Sequence, residues 1–572
     1  ELAQRLGVGG GGDLTVLEDA ELEELAKART AASVTAWLTA RLAGPTGTDQ
    51  QPTTPPQPLR PDAADVPSEV TGEAPKRFQL RPVLLEQQDA NATGDPAALL
   101  AGKRFALLGD DDAGEVAREV VARLAGHGAG AVVLGPEHLL TGAEGPIDGV
   151  LYLDPLAVSR PPVLPDAFPV LKSALGLGPR WLFAVRVVTE GGPDGAELRS
   201  AGLHGLFRTV AREYPETDAR IIDLAASETG AAAVADALLG ELLASDRTPV
   251  VLRTPAGRHG LELAETPLGT LGTTGAGPAG DGAAEAAALG LDRDSVVLLV
   301  GGARGITAKF AAALASASRC RIELLGRTPA PDGPEAPDTA SAHTRTELRA
   351  ALAARGGLTP AEISREAELL LAQREISATL DELTALGSPA RYHSVDFREQ
   401  DAALQAVKEI HAEHGRLDGV VYAAGVIEDR LIAEKTTESF QRVYATKTTG
   451  AETLLAALEQ LPNSPAFAVL FGSISAVLGN RGQVDYAAAN DALQSLGAAW
   501  AARSGQRALT VHWGPWAPTG GHTGMVTPEL GREYARRGIR LIDPEEGTAA
   551  LLRELAWGEE SVGAVVYTSS GW

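Results

Sequence analysis

Two short segments far apart in this chain are near copies of one another: Ile147-Asp-Gly-Val-Leu-Tyr-Leu153 and Leu417-Asp-Gly-Val-Val-Tyr-Ala423. A second pair of apolar runs follows them in the same order, Trp181-Leu-Phe-Ala-Val185 and Phe467-Ala-Val-Leu-Phe471. Repeated runs in one order mark an internal duplication, so the two halves are comparable position by position. The first half alternates strand and helix patterns: Arg104-Phe-Ala-Leu-Leu-Gly109 reads as a strand, Glu115 to Gly126 as a helix, and Ala131-Val-Val-Leu134 as a strand. That alternation predicts an α/β fold with a parallel sheet and helices on its faces. A chain of 572 residues is too long for one core, and about two to four domains are expected.

Composition narrows the partners. With 44% hydrophobic and 22% charged residues, the chain has the make-up of an ordinary soluble globular protein. Its formal charge of -25 argues against nucleic acid and anionic membrane as partners, since both need basic patches. Cys320 is the single cysteine, which excludes an internal disulfide; it has no Cys or His partner at metal-ligand spacing, and no metal is expected. Neither a long apolar span nor a basic-then-apolar leader is present, so a reducing cytoplasm is the expected compartment. Met525 is the single methionine, and a sequence without an initiator is expected to have been cut from something longer.

Residues 14 to 42 read as an acidic turn followed by an amphipathic helix, making 1–43 a small remnant. Residues 44–75, rich in Pro, Thr, Gln, Gly and Asp, read as a linker. The first half, 76–285, has the turn Gly109-Asp-Asp-Asp-Ala-Gly114, whose three carboxylates would repel a pyrophosphate. Between Gly195 and Gly205 it has no tyrosine to match Tyr486 of the second half. It is expected to be a structural, Rossmann-like half that holds no cofactor. Gly269 to Gly282 connects it to the second half, 286–572.

In the second half, Val296-Val-Leu-Leu-Val300 is a buried strand running into a Gly-rich turn of Gly301, Gly302, Ala303, Arg304, Gly305 and Ile306, with an Ala-rich helix after it. Strand, glycine turn and helix together predict a dinucleotide site, because glycines admit the phosphates and the helix start supplies N–H groups. The next strand, Arg321 to Leu325, ends at Arg327, where a site for NAD would carry an acid. Arg327 and Arg304 favour a 2′-phosphate, hence NADPH. Residues 329–390 form an insertion with helices over 344–354 and 360–386, the second opened by the capping box Thr359-Pro-Ala-Glu362. The insertion is either a partner surface, a candidate homodimer contact, or a cover for the sheet edge. Strands over 391–397 and 417–423 follow; Asp396 and Phe397 are placed towards the adenine, and Ala423, Ala424 and Gly425 towards the nicotinamide ribose.

Leu470 to Asn490 carries the chemistry. Ser473 ends an apolar strand, Tyr486 opens a helix, and Asn490 lies one turn beyond it. Hydroxyl, phenol and amide can converge on one pocket, the geometry of carbonyl reduction. Free tyrosine, with a pKa near 10, is a reluctant proton-transfer group, and a neighbouring ammonium lowers that value. Lys447 is the candidate ammonium, in a chain where arginine far outnumbers lysine. Ser473 would hold the substrate carbonyl, Tyr486 give the proton, and Asn490 orient the lysine.

These residues resemble the ketoreductase domains of type I polyketide synthases, a branch of the short-chain dehydrogenase/reductases. Ordinary members of that superfamily carry lysine four residues after the tyrosine; here that place holds Asn490, with Lys447 upstream, the exchange peculiar to the synthase branch. The helical insertion, Val426-Ile-Glu-Asp429, Glu434 to Arg442, Gly479-Asn-Arg-Gly-Gln483 and Trp513-Gly-Pro-Trp516 look most like the iterative polyunsaturated-fatty-acid and enediyne synthases. Residues 14–42 resemble the last helix of an acyl carrier domain.

The resemblance implies two Rossmann-like subdomains, the N-terminal structural and the C-terminal catalytic. It implies NADPH-dependent reduction of a β-ketoacyl chain on the phosphopantetheinyl arm of an acyl carrier domain, alongside the other domains of a parent synthase. Family members making the L alcohol carry tryptophan where this chain has Leu478, and the Leu-Asp-Asp motif of D producers is matched in part by Ile427, Glu428 and Asp429. With Gln483, these positions imply the D (B-type) alcohol. Val300 and Thr307 depart from the family's commoner threonine and glycine. The alternatives are a catalytically silent structural domain and a free-standing short-chain ketone reductase.

Overall fold

The computed structural model describes residues 72–85, 96–109, 114–157, 160–188, 195–273, 280–301, 303–331, 333–518, 526 and 528–570. The expectations for the carrier-like helix, most of the linker, the acidic turn at Asp110 to Asp112, and Gly302 lie outside them. The last residues of the expected linker are tied down: Glu73 N–H donates to Leu541 O at 2.8 Å, and Asp543 N–H to Glu73 O at 3.0 Å.

In chain order the strands of the first half are β1 (Lys76–Leu84), β2 (Arg104–Leu108), β3 (Gly130–Leu134), β4 (Gly149–Tyr152), β5 (Trp181–Val188), β6 (Asp218–Ala225), β7 (Val250–Thr254) and β8 (Gly257–Glu265). Those of the second are β9 (Val296–Val300), β10 (Arg321–Gly326), β11 (Ala390–Ser394), β12 (Gly419–Tyr422), β13 (Phe467–Ser473), β14 (Arg507–Trp513) and β15 (Ala564–Thr568). All belong to one sheet in the order β11-β10-β9-β12-β13-β14-β15-β1-β8-β7-β6-β5-β4-β2-β3. Pairing is parallel within each half apart from the β7–β8 hairpin, and β1 runs antiparallel to both β8 and β15 at the seam. Strands such as β9 and β13 are continuous apolar runs because helices cover both of their faces.

The repeated Asp-Gly pair has the same job in both halves. Asp148 accepts the N–H of Arg104 at 2.9 Å, and Asp418 that of Val296 at 2.7 Å, each capping the first residue of the neighbouring strand. The glycine that follows lies under a cross-strand aromatic ring, Phe105 against Gly149 and Phe467 against Gly419, with no room for a Cβ.

The halves also share a core. Phe168 stacks on Phe440 with centroids 4.2 Å apart, and Gly205 meets the backbone of Ala487, so helix Leu203–Glu213 packs directly on helix Val484–Ser504. The inserted helices span Arg345–Arg355 and Pro360–Ala385, opened by the capping boxes of Thr344 and Thr359. The longer one buries Ile376 and Leu383 in the core around helix Gly305–Ser318 and packs against the edge strand β11. It thus lies against the edge strand, whose own residues stay half-buried or exposed. No described helix is long and apolar enough to cross a membrane.

Candidate active site

The site is assembled at the carboxyl ends of β9, β12 and β13. β13 ends at Ser473, and helix Val484–Ser504 presents Tyr486 and Asn490. Lys447 projects from helix Thr437–Glu459, which β12 holds in place through a 2.6 Å hydrogen bond from the Tyr422 phenol to Thr446 O. Gly425 lies against the lysine stem: a Cβ there would stand 3.0 Å from Lys447 Cε, so a side chain at this position would push the lysine aside by a few tenths of an ångström. Ser473 Oγ accepts both the N–H and the hydroxyl of Ser475, at 3.2 and 3.1 Å, which fixes its rotamer.

The four residues predicted to carry the chemistry converge. Lys447 Nζ lies 5.8 Å from the Tyr486 ring centroid. Burial pushes the Tyr486 phenol up to about 12, the reverse of the lowering expected from the neighbouring ammonium, and hydrogen bonding to Asn490 and Ser473 offsets part of that rise. Burial likewise pushes the Lys447 ammonium down to about 7. The link expected between Asn490 and Lys447 is not a direct one: Asn490 Nδ2 donates to Tyr486 O at 2.7 Å, while Lys447 Nζ donates to Phe471 O at 2.7 Å. Asn490 Oδ1 is buried without a hydrogen-bond partner. A buried acceptor in that state calls for a donor, which a water or an ammonium would supply.

The nucleotide side fits a dinucleotide. Gly301 has φ 80°, and a Cβ on it would stand 3.2 Å from Ala424 N, so the turn lies directly on the Ala423–Ala424 backbone. Gly305 has φ 59° and open space where a Cβ would be. Both conformations suit glycine, and helix Gly305–Ser318 starts there with no side-chain cap, leaving first-turn N–H groups for a phosphate. Ala303 is buried, and Ile306 packs on the core beside it.

The outer residues are less uniform. Arg327 is exposed just beyond the end of β10, with no carboxylate in salt-bridge range among the described residues. Arg304 instead faces Glu375 of the insertion at 3.7 Å. Asp396 is engaged by Arg398 at 2.6 Å, and Phe397 is buried edge-on to Tyr422. Both residues follow the end of β11, which stops at Ser394, short of the strand expected to reach Phe397.

On the substrate side Gln483 Nε2 donates to Asp429 Oδ1 at 3.1 Å, so two predicted positions meet. Glu428 turns away: Arg442 and Ser439 bind its carboxylate and hold it down at about 2. Leu478 is half-buried beside Ile474 and Val477. Sequence reasoning assigned no role to Lys435, which is fully buried and pairs with Asp485 at 2.6 Å while also donating to Glu428 O. It thereby ties the 428–429 loop to the start of the Tyr486 helix. The scarcity of lysine that drew attention to Lys447 applied equally to Lys435. A separate cavity of about 250 Å³, lined by Gln79, Gln494, His512 and Val566 among others, includes none of the four converging residues.

Residues 295–518 match the protein family described as "KR domain". The chain is 34% identical over 279 residues to a polyunsaturated fatty acid synthase polypeptide of Thraustochytrium sp., covering 47% of this chain and 10% of that protein. It is 29% identical over 467 residues to polyketide synthase GfsA of Streptomyces halstedii, covering 75% of this chain and 5% of that one. The chain thus spans a tenth or less of the length of these relatives. Among solved structures, an N-terminal ketoreductase from the macrolactin assembly line superposes with TM-score 0.62 at 18% identity, covering 86% of this chain and 92% of that one. A C2-type ketoreductase from a modular polyketide synthase gives 0.61 at 20%, covering 87% and 94%. At such identities the likeness shows the fold alone, and that fold includes the first half as well as the second. Residues 295–518 are thus a KR domain by family match, and the chain around them is consistent with a ketoreductase of a type I polyketide synthase, of short-chain dehydrogenase/reductase type.

Proposed function

We propose that the chain reduces a carrier-bound β-ketoacyl thioester to the D (B-type) β-hydroxyacyl thioester with NADPH. The observation that carries this reading is the meeting of Tyr486, Ser473, Asn490 and a buried Lys447 beside a glycine turn open to a dinucleotide. A bound nicotinamide supplies the hydride for the carbonyl carbon. Ser473 donates a hydrogen bond to the carbonyl oxygen and holds it beside the phenol. Tyr486, whose phenol stays protonated at neutral pH, gives that oxygen its proton. Lys447 in its charged form stabilises the phenolate left behind, and Asn490 Oδ1 is the free acceptor for a water or ammonium that returns the proton. Leu478, in place of a bulky aromatic, together with the Asp429–Gln483 contact, supports the D outcome.

The partners implied are an acyl carrier domain and the other domains of a synthase of the polyunsaturated-fatty-acid kind, working in the cytoplasm. NADPH oxidation with an N-acetylcysteamine β-ketothioester, followed by chiral analysis, tests the reading. Turnover to the D alcohol is expected, with Tyr486→Phe losing roughly 10²- to 10⁴-fold in kcat and keeping NADPH affinity. Absence of both turnover and NADPH binding removes the reductase reading; a predominant L alcohol removes the stereochemical part.

A further inference from the structure

The loop between Ser473 and Tyr486 rests on the half of the chain that was expected to be only structural. Along helix Leu203–Glu213, Arg208 Nη1 donates to Ala476 O at 2.8 Å and Arg212 Nε to Leu478 O at 2.6 Å. Asn480 N–H donates to Thr209 Oγ1 at 3.3 Å. Gly479, at φ 68°, backs onto this helix so closely that a Cβ would stand 2.5 Å from the Arg208 carbonyl carbon.

The last residue of that helix does something different. Glu213 Oε1 accepts the N–H of Gly482 and Oε2 that of Ile432, both at 2.8 Å. One carboxylate thus holds the Gln483 loop and the Asp429 loop together. The two loops also meet directly, since Arg430 N–H donates to Gly482 O at 2.9 Å. Among the described residues no cation lies in salt-bridge range of Glu213, so its charge is matched by these two amides. A charge-assisted bond to backbone N–H is among the stronger hydrogen bonds available to a loop.

We propose that Glu213 is a positioning residue that fixes the stereochemical outcome of the reduction. Both faces of a ketone can present the oxygen to Ser473 and Tyr486; the substrate turns over about its carbonyl axis to exchange them. Only the walls flanking the carbonyl distinguish the two poses. Those walls are the Asp429 loop on one side and Leu478 to Gln483 on the other, and Glu213 sets their separation. A tenfold change in product ratio is about 1.4 kcal/mol in relative barrier, within the range of one charged hydrogen bond.

This inference rests on the reductase reading, and the experiment separates the two. The full chain and its Glu213→Gln and Glu213→Ala variants are compared for product ratio, kcat, NADPH affinity and peptide-level hydrogen exchange. Glu213→Ala is expected to lower the alcohol ratio about fivefold or more, with NADPH affinity unchanged, and to raise exchange in both the 427–434 and 479–484 segments. Glu213→Gln keeps one of the two acceptors and should fall between. A variant that loses melting temperature and active fraction at a constant alcohol ratio overturns the proposal. If the unaltered chain reduces nothing, the reductase reading fails by itself, and the exchange data alone decide the clasp: unchanged exchange in both segments overturns it, raised exchange in both upholds it.

Discussion

Lys447 shows how a residue can be placed at a cost to stability. It is 4% exposed, its ammonium has one protein acceptor, and burial pushes its pKa from 10.5 to about 7. Below pH 7 the folded chain holds a buried charge that the unfolded chain holds in water. From there to 10.5 the unfolded chain binds more protons, so stability rises with pH as the penalty fades. Lys447→Met fills the same space without the charge. It should raise the melting temperature of the cofactor-free chain near pH 6.5, by on the order of a few kcal/mol in stability, and the gain should shrink towards pH 10. The same variant should lose roughly 10²-fold or more in reduction. Thermal melts across that pH range check the sign, and a variant less stable at every pH would show that the ammonium is well solvated after all.

At the scale of elements, the insertion was legible in its helices and not in its use. Thr359 announces the start of the longer helix through its capping box, and that helix begins at Pro360 as expected; the matching box at Thr344 emerged only in the structure. What the long helix packs on could not be read, because its buried residues include Ala367, Ala372 and Thr379, which hydropathy barely marks as a face. The same limit hid the contact of helix Leu203–Glu213 with the catalytic loop, made through two guanidinium groups, a threonine, a carboxylate and a glycine rather than an apolar stripe. Ser473, Tyr486 and the glycine turn were legible because each needs a fixed residue type at a fixed place on a strand or helix. Asp396 and Glu428 show the converse: an acid in the right loop can be captured by an arginine, as Arg398 and Arg442 capture these two. Thr379 gives the insertion a testable use. Its buried hydroxyl donates to Ala303 O at 3.0 Å, and across that planar trans peptide the Arg304 N–H points the opposite way, away from Thr379. Thr379→Val keeps the shape and leaves that carbonyl unpaired; NADPH affinity measured by fluorescence titration should weaken about 3- to 10-fold. An unchanged affinity would mean that the glycine turn holds its shape without the insertion.

For the whole molecule, a first half with no tyrosine to match Tyr486 still has a part in the architecture. Both halves keep the Asp-Gly strand start, and the first contributes its helix Leu203–Glu213 as a wall behind Tyr486. The join between them is β1, which lies between β15 and β8, and Arg77 on it is bonded in both directions. Its Nε and Nη2 reach Glu554 at 2.6 and 3.0 Å in the second half, and its Nη1 reaches Thr266 O at 2.8 Å in the first. Glu554 is fully buried and also accepts the Tyr567 hydroxyl at 2.8 Å. Replacing a buried pair by apolar groups is often close to neutral, whereas removing one partner strands the other's charge. Arg77→Met should therefore destabilise by about 3 to 5 kcal/mol, while Arg77→Met with Glu554→Leu should recover much of that loss. Denaturant unfolding of the two single variants and the double variant measures the coupling. Strictly additive losses would show that β1 is held by its backbone ladder and apolar contacts, with the ion pair contributing nothing of its own.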